Sequence, residues 1–132
     1  MSINRKALKP YPRAKGAAAP SLLGVWQNEL GSTMTITTFD GTNFAGIYTS
    51  PVSSGPGPAT GPVAGTLSGI ALAFTVNWTG FSSVTSWSGL LLTDDSLLVM
   101  YTLWHLASTP ESQANFWESI LAGADLFEQI QP

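Results

Sequence analysis

The chain has 132 residues, of which 44% are hydrophobic and 10% charged, with a formal net charge of −3 and no Cys. This length suits one domain that buries its own core, and the lack of Cys excludes disulfides, a thiol nucleophile and thiolate metal sites. All five Lys and Arg lie within the first 15 residues, so the rest of the chain offers no cationic surface to nucleic acid. No apolar run approaches the ~18 residues of a membrane span, so neither nucleic acid nor a membrane is an expected partner.

The first 20 residues differ from the rest in composition. They contain all the positive charge and several Pro residues, and they show no hydrophobic period. We therefore expect residues 1–20 to form a flexible basic arm, followed by one domain over residues 21–132. The charges are not followed by the apolar stretch of ~7–15 residues that a signal peptide requires.

From residue 24 onward, short β-rich runs alternate with turn residues. Asp40-Gly41 and Ser68-Gly69 stand between such runs, a pattern typical of β-hairpins. We predict eight strands, near residues 24–30, 33–39, 43–50, 62–68, 70–78, 83–92, 96–106 and 119–129. Short connections favour antiparallel neighbours, so the predicted fold class is all-β. It is an eight-stranded antiparallel up-and-down β-barrel with a ligand cup at one end, and a two-sheet sandwich is the alternative.

Side-chain alternation along the strands predicts which residues face the barrel interior. Ser83, Thr85 and Trp87 share one face of their strand, and Tyr48 and Ser50 share one face of theirs. Core packing explains a single inward Trp, but a filled interior favours aliphatic side chains because each buried hydroxyl needs a partner. Hydroxyls and aromatic rings together indicate a ligand cup, and eight strands enclose about the volume of one small ligand.

The opposite face of two adjacent predicted strands is apolar. Its residues are Leu90, Leu92, Leu97, Val99, Tyr101 and Leu103. A soluble monomer rarely exposes a patch of this size, so we predict a subunit interface there. His105 falls on the same outward face and is expected at the surface or in the interface, not as a metal ligand.

Six short motifs follow one another from about Gly24 to Phe127. They are GVWQNELGS at 24–32, GIYTSPV at 46–52, LAFTVNW at 72–78, SVTSWSG at 83–89, TLWHL at 102–106 and ANFWESILAGADLF at 114–127. In order and spacing they closely resemble the avidin/streptavidin family of biotin-binding proteins. The resemblance implies a barrel that binds biotin non-covalently and with high affinity, with no catalysis, cofactor or metal. It also implies a secreted or periplasmic protein.

The resemblance further implies a set of polar contacts to biotin. The expected donors to the ureido oxygen are Asn28, Ser32 and Tyr48. The expected acceptors for the two ureido N–H groups are Ser50 and Asp125. The contacts expected at the ring sulfur and the valerate carboxylate are Thr85, Ser83 and the backbone near Ser54. A urea has one strong acceptor and two donors, and three donors converging on one oxygen suit that chemistry.

The apolar contacts implied by the resemblance surround the biotin rings. The rings would be boxed by Trp78, Trp87 and Trp104. The space around them would be filled by Leu30, Val52, Phe74 and Leu106. Phe81 stands where streptavidin has a small residue at the pocket mouth. Trp117 is expected to reach into a neighbouring subunit's site, which together with the absence of the Cys found in some dimeric relatives favours a homotetramer over a dimer.

Three other interpretations of the same residues differ in what the barrel interior should contain. A lipocalin-like carrier of another small apolar ligand would have a mostly aliphatic cup without converging donors. A hydrolase that used Asp125 would need a second inward carboxylate, for which the sequence offers no obvious position. A purely structural barrel would need no cup.

Overall fold

The structure, a computed structural model, describes residues 21–51, 58–110, 112 and 120–132. It contains eight strands: β1 (Gly24–Asn28), β2 (Thr33–Phe39), β3 (Asn43–Ser50), β4 (Ala59–Ser68), β5 (Ala71–Trp78), β6 (Ser83–Asp94), β7 (Leu97–Ser108) and β8 (Ile120–Gln131). Each strand pairs with the next, and antiparallel pairing of β8 with β1 closes the barrel. The predicted fold class is confirmed, and a sandwich is excluded.

The largest difference from the predicted strand bounds is at the start of β4. The prediction began this strand at Pro62, whereas the structure begins it at Ala59. Ala59 to Pro62 pair with β3, and the pairing with β5 begins only at Val63. Before that point the Thr79 N–H donates to the Thr60 carbonyl outside the regular ladder. Pro62 thus lies where the β4–β5 ladder is interrupted, and a missing N–H is tolerated there.

One end of the barrel, which we call the filled end, is packed with apolar side chains. Its buried residues are Ile36, Phe44, Leu67, Leu72, Leu91 and Met100. They lie where β2, β4 and β6 finish and where β3, β5 and β7 start, so antiparallel pairing gathers them at the same end. The opposite end, where Asn28, Ser50 and Trp78 finish their strands, is called the open end.

The outer face of β6 and β7 carries the predicted apolar patch, with one correction. Leu97, Tyr101 and Leu103 are about half exposed or more. Val99 is only 2% exposed although it has the outward parity, so its assignment to an exposed patch was wrong. Its partners in register are Leu92 and Glu128, and close cross-strand neighbours cover a small β-branched side chain on the same face.

Several predictions fall outside the described residues. These are the basic arm over residues 1–20 and the roles of Val52, Ser54 and Trp117. Within the described ranges, no helix is long and apolar enough to span a membrane.

Candidate functional site

The open end of the barrel holds a cavity of about 720 Å³, a volume typical of pockets for small molecules. Its walls are formed by Asn28, Leu30, Ser32, Tyr48, Ser50, Ala59, Trp78, Phe81, Ser83, Thr85, Trp87, Trp104, Leu106, Ser108, Leu121 and Asp125. Among the predicted site residues in the described ranges, only Phe74 does not line it. Phe74 is buried one layer deeper, stacked on Trp87 with ring centroids 4.8 Å apart.

Sequence reasoning did not single out Ala59, Ser108 and Leu121, which also line the cavity. Ala59 and Ser108 stand at the ends of β4 and β7, which are both longer than predicted. Predicting the full length of these two strands would have identified Ala59 and Ser108, because strand residues at the open end reach the rim of the cavity. Phe81 also lines the rim and is 40% exposed.

Asn28 ends β1 and organises the turn that follows. Its Oδ1 accepts hydrogen bonds from the backbone N–H groups of Leu30, at 3.0 Å, and Ser32, at 2.9 Å. An Asn side chain that bonds the backbone two residues ahead is a common way to start a turn, and Gly31 completes this one with a φ of +83°. Because Oδ1 is engaged with the turn, the Nδ2 group faces Tyr48 as a fixed donor.

Three hydroxyl groups continue the polar wall that begins at Asn28. Asn28 Nδ2 donates to the Tyr48 hydroxyl at 3.3 Å, and Ser32 Oγ donates to Ser50 Oγ at 3.4 Å. Burial raises the pKa of Tyr48 far above its ordinary value, and the charges of Asp125 and Glu29 raise it further, against a hydrogen bond with Ser32 that lowers it. The Tyr48 hydroxyl is therefore protonated and can donate. This wall presents converging donors to an acceptor atom in the cavity.

Asp125 provides an acceptor on an adjacent part of the wall. Its Oδ2 accepts a hydrogen bond from Trp87 Nε1 at 2.9 Å, and its backbone oxygen accepts one from Thr102 Oγ1 at 2.9 Å. The side chain is 8% exposed. A carboxylate accepts at about four positions, and Asn28 and Glu29 also interact with this one, so an N–H group of a bound molecule would share it with them.

Aromatic rings form the floor of the cavity. Trp87 lies between Tyr48 and Phe74, with ring centroids 5.0 Å and 4.8 Å apart and interplanar angles of 29° and 16°. Phe127 meets all three rings edge-on. Such contacts fix the orientation of large side chains, so the floor is preorganised.

Trp78 and Trp104, the other two tryptophans that line the cavity, are held in place by neighbouring strands. Trp78 Nε1 donates to Thr85 Oγ1 at 2.8 Å, which leaves the Thr85 hydroxyl proton free to point elsewhere. Trp104 lies against Gly123 on β8, where an added Cβ would come within 2.5 Å of the Trp104 ring. Gly123 was not singled out from the sequence, and it is the contact that allows Trp104 to approach the wall.

The acidic groups near the cavity also bear on the alternative functions. Glu29 stands on the outer surface of the barrel, so among the described residues that line the cavity Asp125 is the sole carboxylate. A hydrolase with two inward carboxylates gains no support from this arrangement. The described residues also contain no group of three or more His, Asp or Glu that could hold a metal ion.

A closed eight-stranded barrel with an aromatic and polar cavity at one end defines a β-barrel protein that takes up a small ligand. The chain matches the model of the Avidin family over residues 17–130, and it belongs to that family. The family resemblance predicted from the sequence is therefore confirmed.

Relatives of known name and structure agree with this assignment. Afifavidin of Afifella pfennigii is 30% identical over 131 residues, covering 93% of this chain and 78% of its own. Avidin of Gallus gallus is 30% identical over 120 residues, covering 84% and 79%. The crystal structure of xenavidin superposes with a TM-score of 0.75 at 28% identity, covering 86% of this chain and 100% of that one. The X-ray structure of a biotin-binding protein from chicken gives 0.75 at 27% identity, covering 86% and 98%.

Proposed function

We propose that this protein is a non-enzymatic binding protein that holds one biotin molecule per chain, without covalent chemistry, in the cavity at the open end. The observation that carries the proposal is the donor wall of Asn28, Ser32 and Tyr48 beside the acceptor Asp125, above a floor of aromatic rings. Family membership and the name of the chicken structural relative support the same ligand.

The donor wall would bind the ureido oxygen. In this structure, Asn28 Nδ2 donates to the Tyr48 hydroxyl at 3.3 Å, and Ser32 Oγ donates to Ser50 Oγ at 3.4 Å. These long contacts leave donor capacity for a stronger acceptor. Three donors on one oxygen would polarise the urea, and bonds to a developing charge are stronger than neutral ones.

The remaining polar contacts follow from the shape of biotin. The two ureido N–H groups would donate to Ser50 and Asp125. Thr85 would contact the ring sulfur with its hydroxyl. Ser83, at the rim, would bind the valerate carboxylate, together with the backbone near Ser54, which lies outside the described residues.

Apolar contacts would enclose the two fused rings. The enclosing side chains are Trp78, Trp87, Trp104, Leu30 and Leu106, which line the cavity. Phe74 would act from beneath by supporting Trp87, to which it is stacked. Water excluded from such a box no longer competes for the ureido hydrogen bonds, so they strengthen one another.

Calorimetric titration with biotin tests the proposal directly. We expect saturation at one biotin per chain and a change in Trp fluorescence, while octanoate, which has an apolar tail and no urea, binds far more weakly. Equal affinity for octanoate would favour a lipocalin-like carrier. The absence of both heat and fluorescence change at saturating biotin would contradict the proposal.

A matched pair of variants tests the donor wall. Tyr48→Phe removes one buried hydroxyl and keeps the ring, so we expect a loss of about 1.5–3 kcal/mol in biotin affinity, the range for a hydrogen bond to a charged partner. Tyr101→Phe makes the same change on the outer face and should leave affinity unchanged. Equal affinities for the two variants would remove Tyr48 from the site.

The outer face of β6 and β7 supports a homo-oligomer, and the preference for a tetramer over a dimer rests on Trp117 and on the absence of Cys. Leu97, Tyr101 and Leu103 are 51%, 48% and 63% exposed and follow one another along the outer face of β7. A second copy of this chain would bury them. Trp117, which lies outside the described residues, would close a neighbouring subunit's site. Secretion, to the periplasm or beyond the cell, stays an expectation from the family resemblance.

Leu103→Glu tests this interface because it places a charge at the most exposed residue of the apolar face. We expect smaller species in light scattering, since an unpaired charge is costly in an apolar interface. Ile70→Glu makes a matched change in the β4–β5 turn and should leave the assembly as it is. A Leu103→Glu protein of unchanged mass would show that this face is not an interface.

A further inference from the structure

Two carboxyl groups stand at the place where β1 ends beside β8. Asp125 lines the cavity inside the barrel, and it also lines a groove of about 520 Å³ on the outer surface. Glu29 lines that groove from the outside and is exposed to solvent. Asp125 therefore links the cavity inside the barrel to Glu29 on the outer surface.

A hydrogen bond holds the two groups together. Glu29 Oε2 accepts from the backbone N–H of Leu126 at 3.0 Å, the residue directly after Asp125. That bond holds the Glu29 carboxylate beside Asp125, and both residues line the outer groove. Two neighbouring carboxylates repel each other, and a proton on one of them relieves that repulsion.

Few other charged or titratable groups face this pair. Tyr48 faces Asp125 from β3, and Tyr101 of β7 lines the outer groove. Trp87 of β6 and Thr102 of β7 supply neutral donors. All Lys and Arg belong to residues 1–15, outside the described part of the chain, so no described cation neutralises the pair.

The surroundings favour Asp125 as the group that takes up the first proton. Burial raises the pKa of Asp125, and the hydrogen bond and charge of Glu29 raise it further, against the Trp87 hydrogen bond, which lowers it. Burial also raises the pKa of Glu29, but hydrogen bonds from backbone N–H groups and from Asp125 outweigh burial, so its pKa lies below the ordinary value. As the pH falls, Asp125 takes up a proton while Glu29 is still charged.

We propose that Glu29 is a positioning residue that sets the charge state of Asp125 and so makes ligand affinity sensitive to acid. The inference rests on the proposed function, because it takes Asp125 as the acceptor for a ureido N–H group. A protonated Asp125 is a weaker acceptor than the carboxylate. Binding at low pH must therefore release that proton to solvent, which opposes binding.

The test compares the pH profile of biotin affinity in the full-length protein and in Glu29→Gln. The Gln side chain keeps an oxygen for the Leu126 N–H but carries no charge. We expect wild-type affinity to fall by up to ~10-fold per pH unit below the Asp125 midpoint, since one proton is involved. In Glu29→Gln the fall should begin at a lower pH, relative to that variant's own affinity at high pH. Calorimetry in buffers of different ionisation enthalpy should detect the released proton.

Glu128→Gln is the matched control, because Glu128 is an exposed acid on β8, the strand that carries Asp125. Its profile should coincide with that of the wild type. The same midpoint in wild type and Glu29→Gln, or an equal displacement in Glu128→Gln, would overturn the proposal.

A second measurement separates this proposal from the proposed function. The NMR signal of the Trp87 indole N–H, which donates to Asp125, reports the Asp125 titration without any ligand. We expect its midpoint to fall in Glu29→Gln and to stay in place in Glu128→Gln. If wild type bound no biotin at any pH, the proposed function would fail, while this titration would still decide whether Glu29 controls the charge on Asp125.

Discussion

The two ends of the barrel interior are built from the same strands but differ in content. At the filled end, Ile36, Leu72 and Met100 pack without polar groups and are at most 4% exposed. At the open end, β1 carries Asn28 and β6 carries Ser83 and Thr85, and a cavity of about 720 Å³ lies between the strands. The comparison indicates a division of labour, in which one end supplies the stability of the fold and the other keeps space and polar groups for a ligand.

The largest expected effect comes from truncating a ring that belongs to the packed interior. Phe127 is fully buried and contacts Tyr48, Phe74 and Trp87, so Phe127→Ala should reduce the free energy of unfolding by about 3–5 kcal/mol. Phe81→Ala makes the same change at the rim, where the ring is 40% exposed, and should cost far less stability. Denaturant unfolding measures both. Equal losses would mean that the packed rings beneath the cavity contribute no more to stability than a ring at its rim.

The next effect should be on binding without a matching effect on stability. Asn28→Asp keeps an oxygen for the backbone N–H groups of Leu30 and Ser32 but replaces the Nδ2 donor by an acceptor. We expect biotin affinity to fall by about 1.5–3 kcal/mol. Asn77→Asp, an identical change on the exposed face of β5, is the control. Titration calorimetry measures the affinity and thermal unfolding measures the stability. An Asn28→Asp protein that lost stability but kept its biotin affinity would contradict the account.

A smaller effect is expected from crowding the Trp104 contact. Gly123→Ala places a Cβ about 2.5 Å from the Trp104 ring, which must shift toward the cavity. We expect biotin affinity to fall about 10-fold, or ~1.4 kcal/mol. Fluorescence competition with labelled biotin measures it. Unchanged affinity would show that Trp104 does not need this position.

How far the sequence predicts this molecule differs between the regular strands and their ends. The alternation of Ser83, Thr85 and Trp87 placed these residues on the inner face correctly, because side-chain direction in a regular strand follows parity. The start of β4 and the burial of Val99 were missed, because both depend on which neighbours the strands acquire when the barrel closes.

The candidate site shows the same limit. Its polar residues were named from motifs, whereas the hydrogen bond of Trp87 with Asp125 joins residues that are 38 positions apart. Glu29 reads in the sequence as an ordinary exposed acid. Its contact with the Leu126 backbone spans 97 positions and follows only from the β1–β8 closure.

The smallest effect is the pH dependence of stability that Asp125 contributes. Its pKa is raised in the fold by burial, so the folded state holds this proton to a higher pH than the unfolded chain. Its contribution to stability is therefore present below the unfolded pKa and is lost as the pH rises through the folded one. In ligand-free protein, Asp125→Asn should flatten this fall over the pH range just above the ordinary aspartate pKa. Thermal unfolding across that range measures both proteins. The account would be contradicted if the stabilities of wild type and variant changed with pH in the same way.

A crystal structure of the complex with biotin tests the central claim most directly. The account predicts the ureido oxygen within 2.7–3.2 Å, ordinary hydrogen-bond range, of Asn28 Nδ2 and the hydroxyls of Ser32 and Tyr48, with one ureido N–H directed at Asp125. The fused rings should lie between Trp78, Trp87 and Trp104. Biotin bound with its carboxylate toward Asn28, or at the outer groove instead of the cavity, would contradict the account.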